Sequence, residues 1–198
     1  SAGISSSISL FKCRNTGSSN NQIVLVYHAY YNEFRFSPKF GGVADLCNGG
    51  ATNADGDSYE GDGIWHHLVG TIGVENDTTE FWIDGEKKES IDGVGTLNEL
   101  INDVSLLQNG ADGAYFDGDV KDVAIYGRQL SDAEIAIIHN RKSLSGDKGI
   151  DLVSGSHVSN TGLIAHFRFE EKSGTVAINE AGVNGTYVNA PAITTNIP

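Results

Sequence analysis

Trp65-His66-His67-Leu68-Val69-Gly70-Thr71-Ile72-Gly73-Val74, followed after a polar turn by Thr79-Glu80-Phe81-Trp82-Ile83-Asp84-Gly85, is the stretch on which the fold turns. Both halves alternate well enough to be paired strands, because successive side chains on a strand point to opposite faces. Asp84-Gly85 is a two-residue hairpin signature, since both turn positions need positive φ. Residues 86–91 are then the returning strand. Upstream, residues 7–13 (SISLFKC) read as a strand with Ile8 and Leu10 on one face. Residues 23–30 and 34–36, rich in β-branched and aromatic side chains, form a hairpin around Asn32-Glu33. Residues 48–63 (NGGATNADGDSYEGDG) are a long polar loop. Downstream, residues 104–107, 120–126 and 163–169 continue the strand pattern, and Asn184-Gly185 turns into a short last strand at 186–188.

The composition agrees with that reading. Twenty-five glycines against three prolines in 198 residues mean many tight turns. Apolar residues at 39% and charged residues at 20% support an ordinary core and argue against wholesale disorder. No apolar run approaches the roughly 18 residues of a membrane span. Thirteen basic against twenty-six acidic residues give a net charge of −13, which repels phosphates and argues against nucleic-acid binding. The same acidity suits an extracellular protein and oxygen-ligated cations such as calcium. The chain has no Met and opens Ser1-Ala2-Gly3, which fits a processed product or a fragment carrying a short cloning scar. Cys13 and Cys47 are too few for a disulfide scaffold. They form either one bridge in an oxidising compartment or two buried thiols.

One helix signal stands out. Ser131-Asp132-Ala133-Glu134 is a capping box ahead of Ile135, Ile137 and Ile138, and Arg141 and Lys142 sit where the helix dipole prefers cations. Residues 143–160 are a Gly/Ser-rich linker or long loop. About a dozen short strands and one short helix predict an all-β fold, a two-sheet antiparallel sandwich or jelly roll.

Three segments together resemble the laminin-G-like, concanavalin A-like jelly-roll family. Residues 63–71 (GIWHHLVGT) with 81–85 (FWIDG) are similar to its W-H-H-V-A-x-T and L-Y-V-D-G pattern. Residues 116–131 (FDGDVKDVAIYGRQLS) resemble F-x-G-x-I-D-D-V-R-I-Y-N-R-A-L-S. Residues 163–171 (LIAHFRFEE) with 173–175 and 179–186 resemble L-V-A-Y-W-x-F-D-E-G-S-G-T and its following loop. The order departs from the family's, whose domain opens on the third segment. The expectation is a single domain over 1–198 in which residues 161–198 are a permuted or next-repeat terminal segment. Alternatively, that tail completes a neighbouring subunit's sheet by strand exchange.

The resemblance implies a calcium site. Carried over by position, it takes Glu171, Asn179, the Gly182 carbonyl and Asp122, with Glu170 and Asp119 in reserve. Asn179 and Lys121 stand where the family commonly has Asp, and both changes remove negative charge. The alternative is that these carboxylates cap turns and face water. A second acidic run, Asn53, Asp55, Asp57, Glu60 and Asp62, is not an EF-hand, because Ser58 and Ile64 replace its required Gly and Glu. His66 and His67 are adjacent, so on a strand they point apart and do not chelate one ion; a buried structural His beside Trp65 is expected. There is no nucleophile elbow, no phosphate loop and no E-x-D-x-E pair of the related glycosidases, and the neighbours Glu170 and Glu171 face opposite ways. The chain is therefore read as no enzyme.

Sugar binding uses exposed aromatics for stacking, and the candidates are Tyr59, Trp82, Tyr30 and Tyr31. Trp82 aligns with a routine structural Tyr of the family, whereas Tyr59, in a polar loop, is expected to be exposed. Asn76-Asp77-Thr78 and Asn184-Gly185-Thr186 are glycosylation sequons, meaningful in a eukaryotic secretory setting. The resulting reading is a binding or adhesion module, extracellular or on a cell, virion or particle surface, that recognises a glycan or protein partner and is stabilised by calcium. The alternatives are a structural subunit of a capsid, appendage or filament, and an accessory domain of a secreted glycoside hydrolase.

Overall fold

The computed structural model describes residues 7–17, 21–28, 30–44, 46–50, 59, 62–73, 75–93, 103–108, 118–144, 152–153, 160–169, 176–182 and 184–186. By their contacts they fall into two compact units, Ser1–Asp117 and Gly118–Pro198.

In the first unit, β1 (Ser7–Arg14), β2 (Gln22–His28), β3 (Glu33–Phe40), β4 (Val43–Ala44), β5 (Cys47–Asn48) and β9 (Asp103–Gln108) form one sheet. Its order is β4-β3-β2-β1-β9, with β5 also on β3. All its pairings are antiparallel. β6 (Leu68–Gly73), β7 (Thr78–Ile83) and β8 (Glu86–Asp92) form a second antiparallel sheet. The E-F-R-F-S-P-K-F sequence of β3 gives strict alternation, with Phe34, Phe36, Pro38 and Phe40 buried and the polar residues between them half-buried. In β1 the register slips between Ser9 and Phe11. Such a bulge inserts one residue and resets the parity, so Cys13 joins Ile8 and Leu10 among the buried residues although it is odd-numbered.

The two sheets pack through one core in which Ile8, Leu10, Tyr27, Phe34 and Phe36 meet Phe81 and Ile83. The rings of Phe36 and Phe81 stack at 6.4 Å between centroids. Gly70 makes that approach possible: a Cβ there would lie 2.3 Å from the Phe36 ring. Between β7 and β8, Asp84 (φ 53) and Gly85 (φ 80) both adopt the positive φ that the D-G signature demands.

β7 is buried on both faces. Thr79, Phe81 and Ile83 alternate with Glu80 and Trp82, so the latter pair lies on the other face. There Lys87 lies 4.7 Å over the Trp82 ring and donates to Glu80 Oε1 at 2.6 Å. Thr71 also donates to Glu80, at 3.3 Å, so the buried carboxylate has two donors.

Cys13 and Cys47 are buried reduced thiols, which overturns the bridge alternative. Cys47 lies on β5 at the far side of β3, three strand spacings from β1. At about 4.8 Å per spacing this exceeds the ~7 Å Cα reach of a disulfide. Cys47 Sγ donates instead to the Thr79 carbonyl at 3.4 Å, and burial pushes the Cys13 thiol up to about 11.

In the second unit, β10 (Val123–Tyr126) pairs antiparallel with β11 (Leu163–Phe167), and β12 (Val176–Ala177) with β13 (Gly185–Thr186). Thus the late segment at 163–167 is a strand, and its partner is β10. α1 (Asp132–Leu144) starts at the predicted cap. Ser131 N–H donates to Glu134 Oε2 at 2.9 Å and Glu134 N–H returns to Ser131 Oγ at 3.4 Å, the reciprocal pair of a capping box. Arg128 grips the same carboxylate at 2.9 and 2.6 Å and holds it well below the usual range, at about 2. Among the described residues no helix is long and apolar enough to cross a membrane.

Candidate ligand-binding face at the β2–β3 turn

β2 and β3 are in register up to the pair His28 and Glu33, and the chain turns between them. Asn32 takes φ 53, a conformation Asn tolerates better than most residues. Its side-chain oxygen accepts from the Tyr27 hydroxyl at 2.6 Å, which closes the turn. Tyr30 and Tyr31 therefore stand outside the ladder, where no sheet face covers them, at 65% and 53% exposure. Yet they are not loose. Tyr31 lies 4.8 Å from the Tyr30 ring, edge-on, and 4.8 Å from the His28 ring. The Arg35 guanidinium sits 4.7 Å from the Tyr31 centroid and is ion-paired with Glu33. The cation holds one face of Tyr31 through the ring's negative quadrupole. The result is an exposed, braced pair of rings with polar edges.

The other two aromatic candidates are not available in this way. Tyr59 was expected to be exposed but is 6% exposed, packed 6.1 Å from Phe34 and edge-on at 5.0 Å to His66. Its polar neighbours in sequence conceal a ring that fills the end of the core. Trp82 is 5% exposed and capped by Lys87.

His66 is a tether, in line with the structural role read from its place beside Trp65. Its Nδ1 lies 2.6 Å from Asp84 Oδ2 and its Nε2 2.9 Å from Asp62 Oδ2. Asp84 also accepts from the His67 N–H at 2.8 Å. The Asp62 carboxyl is held below its usual range, first by the Ile64 N–H at 2.8 Å and then by His66. This ties the end of the long polar loop to the Asp84-Gly85 turn. Asn53, Asp55, Asp57 and Glu60 lie outside the described residues.

The calcium donors implied by resemblance are only partly within the described residues, since Glu170 and Glu171 are outside them. Asp122 and Asn179 both neighbour His166, Asn179 through the His166 backbone N–H. This fully buried ring lies 3.8 Å from Asp122 Oδ1 and 3.3 Å from Glu180 Oε2. However, Asn179 Oδ1 accepts the His166 N–H at 2.9 Å and the Ala181 N–H at 3.0 Å. Gly182 packs tightly on the Asn179 amide, and Asp119 is exposed. Among the described residues no group of three or more acidic, His or Cys side chains could hold an ion. Within the described residues, the Asn179 oxygen is thus committed to backbone donors.

His28, Glu33 and Arg35, which complete the tyrosine face, were missed in the sequence. The available signal was the E-F-R-F alternation, which puts Glu33 and Arg35 on one strand face beside the turn.

Residues 6–136 match the Laminin_G_3 family, described as the concanavalin A-like lectin/glucanases superfamily. No curated protein matches the chain. Among solved structures, an S-layer domain-containing protein (residues 221–444) from Clostridium thermocellum is similar at 19% identity with a TM-score of 0.30. That likeness covers 70% of this chain and 65% of the other, so the chain spans less than two thirds of that relative's length.

Proposed function

Because the chain belongs to the concanavalin A-like lectin/glucanase superfamily, we propose that it is a non-catalytic module that binds a glycan on the Tyr30–Tyr31 face, outside the cell or on a cell or particle surface. Proteins of this superfamily commonly bind glycans or other proteins. The observation that carries the reading is the exposed, braced tyrosine pair at the β2–β3 turn. A Tyr ring offers a rigid apolar face to the C–H side of a sugar, while its hydroxyl meets ring hydroxyls, at small entropic cost. Arg35 and His28 hold Tyr31 in advance, which lowers the ordering that binding requires.

The test is isothermal titration of the 198-residue chain against soluble polysaccharides, with Tyr30→Ala and Tyr31→Ala beside the parent. Each substitution should weaken binding about tenfold or more, equivalent to about 1.4 kcal/mol. Unchanged affinity in both variants would move the site elsewhere.

A further inference from the structure

We propose that the tyrosine face selects uncharged glycans, and that Glu33 sets this selectivity by neutralising Arg35; the inference rests on the glycan reading above. Among the described residues of the face, 28 and 30–35, Arg35 is the one permanently charged cation. Its guanidinium lies against Tyr31, at the place where a sugar carboxylate or sulfate would find a partner. That charge is already matched. Arg35 Nε donates to Glu33 Oε1, and Arg35 Nη2 pairs with the same oxygen. The two side chains are only 16% and 14% exposed, so the pair is poorly screened and closely coupled.

An anionic sugar therefore meets a neutral pair on a chain whose net charge is −13. It would shed water from its charge without gaining a counter-charge, and the surrounding field opposes its approach. An uncharged sugar meets neither penalty. Arg35 thus acts as a positioning residue for Tyr31 and does not recruit anions.

The experiment uses affinity electrophoresis and titration of the full chain. The uncharged probes are β-1,3-glucan, β-1,4-mannan and xylan; the acidic probes are polygalacturonate, alginate and heparin. Each is run at low and high salt. The expected result is binding confined to uncharged probes with little salt dependence, and about a tenfold gain of polygalacturonate retention at low salt in Glu33→Gln. If the parent binds the acidic probes as well as or better than the uncharged ones, the selectivity is wrong while the glycan reading stands. If it binds no probe of either class, the glycan reading fails and takes the selectivity with it. The ranking and salt dependence in the parent need no variant, so the outcome is decisive even if Glu33→Gln does not fold.

Discussion

Gly70→Ala tests the packing on which the two-sheet arrangement depends. The added Cβ would lie 2.3 Å from Cδ2 and Cε2 of Phe36 and 2.6 Å from its Cγ. Ordinary contact begins near 3.4 Å, so ring or strand has to move by about 1 Å. The ring has little room. Phe36 is buried and stacks on Phe81, itself fully buried. Overpacking of this kind costs about 1–3 kcal/mol, and the lower entropy of Ala in the unfolded chain returns about 0.5 kcal/mol. The net loss of about 1–2 kcal/mol should lower Tm by roughly 2–8 °C, read by intrinsic fluorescence on heating. Phe36→Leu removes the obstructing ring edge. The double variant should therefore be more stable than the sum of the single changes implies, with a coupling of about 1 kcal/mol. A Gly70→Ala protein that melts within about 1 °C of the parent, or strict additivity with Phe36→Leu, would refute this account of the core.

Three further outcomes follow from the geometry. Glu134 has a folded pKa of about 2 against an ordinary 4.5, so its contribution to stability is fully present above pH 4.5 and disappears as pH falls through 2. The shift corresponds to about 3 kcal/mol, which solvent screening of this partly exposed pair reduces to about 1 kcal/mol. Glu134→Gln should thus lower urea stability at pH 7 and match the parent near pH 2; an equal deficit at both would contradict it. Both cysteines should resist a thiol reagent in the native protein and label together after unfolding without reductant, whereas no labelling would reveal a bridge. Because the Asn179 oxygen is already engaged by two N–H groups, a chelator should shift Tm by less than about 1 °C. A rise of several degrees with added calcium would show that the native protein binds the ion.

What could be read from the sequence was whatever is decided within a few residues. The Asp84-Gly85 turn and the Ser131–Glu134 box depend on local backbone demands, and both form as their residues dictate. The strands of the first unit were legible because alternation survives in β3 and in the β6–β7 pair. Two features were not legible. The bulge in β1 leaves no residue signature, yet it decides that Cys13 faces inward. The contact of His66 with Asp84 joins positions brought together only when β6 pairs with β7.

The two tyrosine sites show where such reading stops. Tyr59 and Tyr31 both sit among polar residues, and polarity alone ranks Tyr59 as the more exposed. The structure reverses the order because burial depends on what lies opposite. Tyr59 meets Phe34, the first inward residue of β3 and one register position from the turn, so the end of the core needs its ring. Tyr31 lies beyond the last ladder pair, where the cover available is Arg35 on one face and His28 and Tyr30 beside it. The inner sheet faces are committed to packing, and the outer face of β7 is occupied by Trp82, Lys87 and Glu80. Among the described residues of the first unit, a large ring is left for a ligand at the turn, where the hydrogen-bonded ladder ends and side-chain contacts alone hold it.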